Sequence, residues 1–249
     1  MTEILIRFHG DLSSLLYRKW RGNSTIEYRL ERRASIKDII EALGIPHTEV
    51  DRLTADRREI DFHHIPDAEQ TIEVFPVSEQ TDFFSPTLLR PRPLPGLYFI
   101  ADVNVGKLAK KLRLLGFDTL YGRHLTDEVL AETAAREERI VLSKDKGVLM
   151  RKKVIWGHLL RSDDPEEQLT ETVRLFRLEK EVAPYTRCQH CNSILTPVAK
   201  EDIDHLLEPL TRRYYHSFQI CRNCGQIYWA GSHRRKMARK FSRIIPGST

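Results

Sequence analysis

Two kinds of residue in this chain have the type and spacing to do chemistry: paired aspartates and paired cysteines. The apolar run Leu97–Ala101 stops at Asp102, and the run Ile140–Leu142 is followed by Ser143, Lys144 and Asp145. Short apolar runs bounded by polar residues read as buried parallel strands. Each such strand delivers a carboxylate at its C-terminal end, the edge where open α/β sheets bind ligands. Two aspartates brought together there repel each other. A hard divalent cation such as Mg²⁺ or Mn²⁺ relieves that repulsion and activates water for phosphodiester cleavage. All four cysteines lie downstream, as Cys188-x2-Cys191 and Cys221-x2-Cys224. Paired CxxC knuckles place four thiolates around one tetrahedral Zn²⁺. Four thiolates leave that ion no open position, so the expected zinc is structural. Redox disulfides are the competing reading, and a reducing cytoplasm disfavours them.

The remaining acidic residues have weaker claims. Asp127 follows Thr126 at the start of a helical pattern, where it serves either as a helix cap or as a third ligand. Glu128 is its neighbour and rival. Asp118 lies inside an expected strand and reads as structural. Asp163 and Asp164 precede Pro165–Glu166–Glu167. N-capping explains them as well as a fourth ligand does. No GxGxxG, P-loop, HExxH or nucleophile elbow competes.

These residues need elements to hold them. The helical run from Lys107 to Leu115 carries Leu108, Leu112 and Leu115 on one face, with Lys107, Lys110, Lys111 and Arg113 at the other positions. Phe117–Tyr121 reads as a strand, Val129–Ala134 as a helix, Val154–Trp156 as a fourth strand and Glu166–Leu178 as a closing helix. Strands alternating with helices imply a parallel sheet. Upstream, Ile4–Phe8, Ser24–Leu30, Ile60–Phe62 and Thr71–Phe75 read as strands, and Ser35 caps a helix with Ile36, Ile39, Ile40 and Leu43 on one face. That β-β-α-β-β order resembles the β-grasp, or ubiquitin-like, fold. No Gly-Gly tail follows, so a docking or scaffolding role is expected rather than conjugation. Pro86, Pro91, Pro93 and Pro95 mark a semi-extended linker. The expected domains are 1–80, a linker at 81–96, 97–182 and 183–249.

Charge is uneven along the chain. Residues 1–80 hold 11 Lys and Arg against 15 Asp and Glu, whereas residues 185–249 hold 11 against 4. A basic tail suits a polyanion. Tyr228 and Trp229 lie upstream of Arg234, Arg235, Lys236 and Arg239, and aromatics beside cations suit stacking on bases and pairing with phosphates. No apolar run reaches membrane-spanning length and no signal peptide is visible, so a cytoplasmic protein without a membrane partner is expected.

FIADVNVGKLAKKLRLLGFDTLY, TDEVL and RIVLSKDKGVL together resemble the Mut7-C family of PIN-like ribonuclease domains. The resemblance covers nearly the whole chain. It implies a ubiquitin-like N-terminal domain, a PIN-like α/β domain and a C-terminal zinc ribbon. It further implies RNA cleavage at Mg²⁺ or Mn²⁺ held by acidic residues at Asp102, Asp127 and Asp145, with Ser143 as the hydroxyl of the Ser-x-Asp motif. Trp229, Gly231, Ser232 and His233 match a further pattern of that family. The expected substrate is RNA, tRNA or rRNA among the candidates. The competing readings are a non-catalytic RNA-binding or ribosome-associated factor, and a toxin-like nuclease restrained by its β-grasp domain.

Overall fold

The computed structural model describes residues 3–230. The expected RNA contacts Arg234, Arg235, Lys236 and Arg239 lie outside the described residues. In chain order the elements are β1 (Glu3–Phe8), β2 (Thr25–Arg29), α1 (Ile36–Ala42), β3 (Val50–Ala55), β4 (Arg58–Glu59), β5 (Thr71–Pro76), β6 (Phe99–Ala101), α2 (Gly106–Leu114), β7 (Thr119–Tyr121) and α3 (Asp127–Arg136). They continue with β8 (Ile140–Ser143), α4 (Lys146–Leu149), β9 (Gly157–Leu159), α5 (Pro165–Leu175), β10 (Thr196–Val198), α6 (Lys200–Ile203), α7 (Pro209–Tyr214), β11 (Phe218–Ile220) and β12 (Ile227–Trp229). The chain divides into two compact units, Met1–Val105 with Gly122–Arg161, and Gly106–Tyr121 with Ser162–Thr249.

In the first unit, the N-terminal sheet has the order β2-β1-β5-β3-β4, with β1 and β5 parallel at its centre. Alternating burial puts Ile4, Ile6 and Phe8 of β1 and Ile72 and Val74 of β5 on one face. Ile36, Ile39 and Ile40 of α1 are buried as well. Ser35 caps α1, its hydroxyl accepting from the Asp38 N–H at 3.2 Å. The expected strand at Ile60–Phe62 is displaced to β3, Val50–Ala55. A bulge between Val50 and Arg52 disrupts the two-residue alternation there and hides the strand from pattern reading. Near Ile60–Phe62 the Asp61 carboxylate instead accepts from the His63 N–H at 2.8 Å, a turn device.

The same unit holds three parallel strands, β6 beside β8 and β8 beside β9. Phe99, Ile100, Ile140, Val141 and Leu142 are fully buried, so the strands read as continuous apolar runs. The third of them is not Val154–Trp156 but Gly157–Leu159. Glycine opens this strand because a Cβ at Gly157 would stand 2.7 Å from the Leu149 side chain and 3.3 Å from Thr48.

Polar contacts tie the N-terminal sheet to these strands. The Glu49 carboxylate accepts from the Leu159 N–H at 2.8 Å and lies 3.3 Å from His158 Nδ1. His47 Nε2 is 2.7 Å from the Val154 carbonyl. Residues 82–96 form no helix or strand, yet Phe83, Arg90 and Leu94 are buried. Arg90 donates to the Thr48 carbonyl at 3.1 Å and lies over Trp156, 4.8 Å from the ring centre. Burial pushes its guanidinium down to about 10, against the pull of Asp51 and Glu49.

In the second unit, α2 packs on α5, and Lys111 meets Glu166 at 2.6 Å. The strands β10, β11 and β12 form an antiparallel ribbon. Residues 200–214 form two short helices, α6 and α7, rather than one continuous helix. Pro209 sits at the first turn of α7, where its missing N–H costs nothing, and inside a continuous helix it would remove a bond.

Candidate active-site edge and cysteine cluster

Asp102 follows β6 and Ser143 closes β8, so the parallel register that pairs Ala101 with Leu142 brings them to one sheet edge. Asp102 is 4% exposed, and its carboxylate accepts from three neutral donors. Oδ2 accepts from Ser143 Oγ at 2.6 Å and from Asn104 Nδ2 at 2.8 Å, while Oδ1 accepts from the Val103 N–H at 2.5 Å. The buried Ser143 hydroxyl in turn accepts from the Asp145 N–H at 2.9 Å. One hydroxyl therefore bridges the carboxylate of Asp102 and the backbone of Asp145. Asn104 makes a second link, its side-chain oxygen accepting from the Lys144 N–H at 3.4 Å. Asp145 is exposed and caps α4, accepting from the Gly147 N–H at 2.7 Å.

Asp127 stands apart from this pair. Thr126 is the N-cap of α3, and Asp127 occupies the first helical position, exposed, with its carboxylate 3.3 Å from Arg151. Glu128 beside it is exposed as well. Asp102, Asp127 and Asp145 do not form one tight ligand group. Among the described residues the cysteines alone gather three or more ligand atoms in that way. In the second unit, Asp164 caps α5 by accepting from the Glu166 N–H at 2.9 Å, and Asp163 is exposed. Asp118 meets Arg187 at 3.4 Å and accepts from Asn192 at 2.9 Å.

Next to Asp145, Lys146 turns toward the N-terminal sheet's loop. It donates to the Leu15 carbonyl and lies 5.4 Å from the centre of the Tyr17 ring. Burial lowers the basicity of its amine, and Arg21 and Arg161 lower it further.

The cysteines meet in the ribbon. Their sulfurs all lie within 4.8 Å of one another, with Cys188–Cys224 at 3.6 Å and Cys191–Cys221 at 3.3 Å. A disulfide needs about 2.05 Å, whereas four sulfurs around one zinc stand roughly 3.8 Å apart. The two knuckles repeat one backbone pattern. Cys188 N–H donates to the Ser193 carbonyl and Asn192 N–H to the Cys188 carbonyl; Cys221 N–H donates to the Gln226 carbonyl and Gly225 N–H to the Cys221 carbonyl. Asn192 and Gly225, at matching places, have φ of 72° and 75°, a conformation that asparagine and glycine tolerate. The Tyr228 hydroxyl lies 3.1 Å from the Cys188 sulfur. Burial and the neighbouring Cys191 sulfur push the Cys221 thiol up. A cation reverses that direction, because thiolates bind metals and thiols do not.

Arg113 fastens the first knuckle to α2. It is buried and donates to the carbonyls of Thr119 at 2.8 Å, Gln189 at 3.1 Å and His190 at 2.9 Å. Its place among the basic positions of α2 concealed this role. Asn104 was legible in principle, two residues after Asp102.

Residues 97–241 match the family model of the Mut7-C RNAse domain. The chain belongs to the Mut7-C family. Residues 1–82 match the model of the Mut7-C ubiquitin domain, in agreement with the order of β1 to β5 around α1. The chain is thus a mixed α/β member of a ribonuclease family with a ubiquitin-like domain. No curated protein and no solved structure matches it. Among the described residues no helix is long and apolar enough to cross a membrane.

Proposed function

We propose that this Mut7-C chain is a metal-dependent endoribonuclease whose acidic edge holds Mg²⁺ or Mn²⁺ through Asp102 and Asp145, with Asp127 as the third carboxylate. The observation that carries this reading is the Ser143 bridge, which couples two strand-end aspartates on neighbouring parallel strands. Hard carboxylate oxygens suit either ion. A divalent ion held there supplies activation of water and stabilises charge on the phosphate. Ser143 and Asn104 fix the Asp102 carboxylate, so its orientation is set before substrate arrives. Asp127 joins when its exposed pair with Arg151 opens, a contact of the kind worth under about 1 kcal/mol. Hydrolysis by in-line attack leaves a 5′-phosphate and a 3′-hydroxyl, with no side-chain nucleophile.

Cys188, Cys191, Cys221 and Cys224 fit one structural Zn²⁺ that closes a C-terminal ribbon. The ribbon and the cations Arg234, Arg235, Lys236 and Arg239 hold the RNA, with tRNA and rRNA as the first substrates to try. The protein acts in the cytoplasm.

The test is cleavage of labelled tRNA and rRNA fragments by the full chain, titrated with Mn²⁺ and with a chelator. Asp102→Asn with Asp145→Asn abolishes cleavage while the fold and RNA binding persist. Undiminished cleavage in that double variant overturns the proposal. RNA binding by the parent chain without metal-dependent cleavage favours the non-catalytic binding factor instead.

A further inference from the structure

The ubiquitin-like domain brings a basic and aromatic turn to the residue beside Asp145. The sequence there is Tyr17–Arg18–Lys19–Trp20–Arg21, with Tyr17, Arg18, Lys19 and Arg21 exposed and Trp20 half-buried. The turn is held rigidly from below. Leu12, Leu15 and Leu16 are buried, and the Tyr17 N–H donates to the Leu43 carbonyl at 2.9 Å. Gly44 makes room for it, since a Cβ there would stand 2.8 Å from the Tyr17 nitrogen. Trp20 N–H and Arg21 N–H both donate to the Tyr17 carbonyl, and Gly22 N–H donates to the Ser13 carbonyl. Lys146 crosses from the acidic edge to the Leu15 carbonyl and the face of Tyr17, so the turn and the Asp145 loop are joined.

Lys19 lies 4.6 Å from the centre of the Trp20 ring, and Arg21 reaches the Leu16 carbonyl at 3.5 Å. Arg161 approaches the same loop, bonding Asp11 at 2.6 Å and Ser14 at 3.1 Å. Several positive groups thus crowd one edge although the N-terminal 80 residues carry more acidic than basic side chains. Cations on a preformed turn beside an exposed tyrosine and a half-buried tryptophan match what single-stranded RNA offers: phosphates in series and unstacked bases.

We propose that the Tyr17–Arg21 turn is a binding edge for single-stranded RNA that runs past Asp145. Arg18, Lys19 and Arg21 take the phosphates, and Tyr17 and Trp20 take a base. The ubiquitin-like domain is then part of the substrate site. The identity of the ligand rests on the nuclease reading, but the edge itself is tested by binding.

The experiment uses the full chain carrying Asp102→Asn, which suppresses cleavage, and a fluorescein-labelled oligoribonucleotide of mixed sequence. Arg18→Ala, Lys19→Ala and Arg21→Ala are combined in that chain. Affinity falls about 100-fold at 0.1 M salt, and the slope of log affinity against log salt loses about 2, from roughly 0.7 per phosphate contact on single strands. A 4-thiouridine oligonucleotide crosslinks to Tyr17 or Trp20 in the chain with an intact turn, a readout independent of how the triple variant folds. Unchanged affinity and slope, with crosslinks elsewhere, overturn the binding edge and leave the nuclease reading standing. A protein partner captured through the turn while RNA affinity is unchanged also overturns it. A parent chain, with Asp102 intact, that neither binds nor cleaves RNA overturns both.

Discussion

The cysteine cluster and the aspartate edge differ in how much of the fold is needed to build them. Each pair of cysteines is placed by one tight turn, and the two turns share the same hydrogen bonds and the same positive-φ residue. Short strands β10, β11 and β12 then suffice to set one turn against the other. The aspartates come from the end of β6, the end of β8 and the first turn of α3, so long-range pairing must form first. Each aspartate also serves the fold, since Asp102 holds its own loop, Asp145 caps α4, and Asp127 meets Arg151. Cysteines encoded in turns are gathered as a group, whereas aspartates distributed over a sheet edge depend on everything that holds the edge.

The largest break in this comparison is expected at the cysteines. Cys221→Ser removes a buried sulfur of the proposed zinc site, and among the described residues the ribbon's buried apolar clusters are small, Leu195 with the buried cysteines and Ile203, Leu207 and Phe218. Structural zinc contributes on the order of 10 kcal/mol in small metal domains. Elemental analysis of the parent should find one zinc per chain; the variant should lose it, and its amides over 185–230 should exchange rapidly with solvent. Retention of both zinc and protection would show that the ribbon does not depend on four thiolates. Arg113→Met comes next. It removes three donors from the carbonyls of Thr119, Gln189 and His190 and costs about 4 kcal/mol, read by chemical denaturation. Zinc stoichiometry should survive, because the knuckles are built from their own turns.

Local signals account for what was legible in advance. The apolar runs at Phe99–Ala101 and Ile140–Leu142 announced two strands, Ser35 announced the start of α1, and CxxC spacing announced the cysteine group. What escaped depended on distant partners. The bulge in β3 broke the period, and Gly157 begins a strand because Thr48 and Leu149 crowd it. Arg113 looked like a surface cation because its three acceptors come from two other segments. Asp127 is adjacent to a cap in sequence, but no pattern could announce Arg151 as its partner.

The aspartate half should also respond to acid through Glu49, which holds the ubiquitin-like domain to β9. Burial opposes its ionisation, but His158, the Leu159 N–H and Arg161 together hold the carboxyl below its ordinary value of 4.5. A lowered folded-state pKa means stability that is present above about 4.5 and lost as pH falls through the lower folded value. Glu49→Gln should therefore cost about 3 kcal/mol near neutral pH, the scale for breaking a buried pair. The difference from the parent should shrink in acid. Thermal unfolding from pH 7 to pH 3 checks this; an unchanging difference across that range would deny Glu49 its charged role.

The smallest structural effect belongs to Asp127, and it sharpens the comparison most. Its pair with Arg151 is exposed, so Asp127→Asn should change stability by about 0.5 kcal/mol or less. Thr126 keeps the helix cap, accepting from the Val129 N–H, so α3 is retained. Any large effect must then be chemical. If Asp127 completes the acidic edge, cleavage falls by about 100-fold or more, the scale for losing one charge-stabilising group, and the Mn²⁺ concentration needed for half-maximal activity rises. Arg151→Ala separates the two roles of the carboxylate. It leaves Asp127 in place and releases it from its pair, so it should cost equally little stability while lowering the Mn²⁺ requirement. Wild-type cleavage and an unchanged Mn²⁺ requirement in both variants would confine the metal site to Asp102 and Asp145.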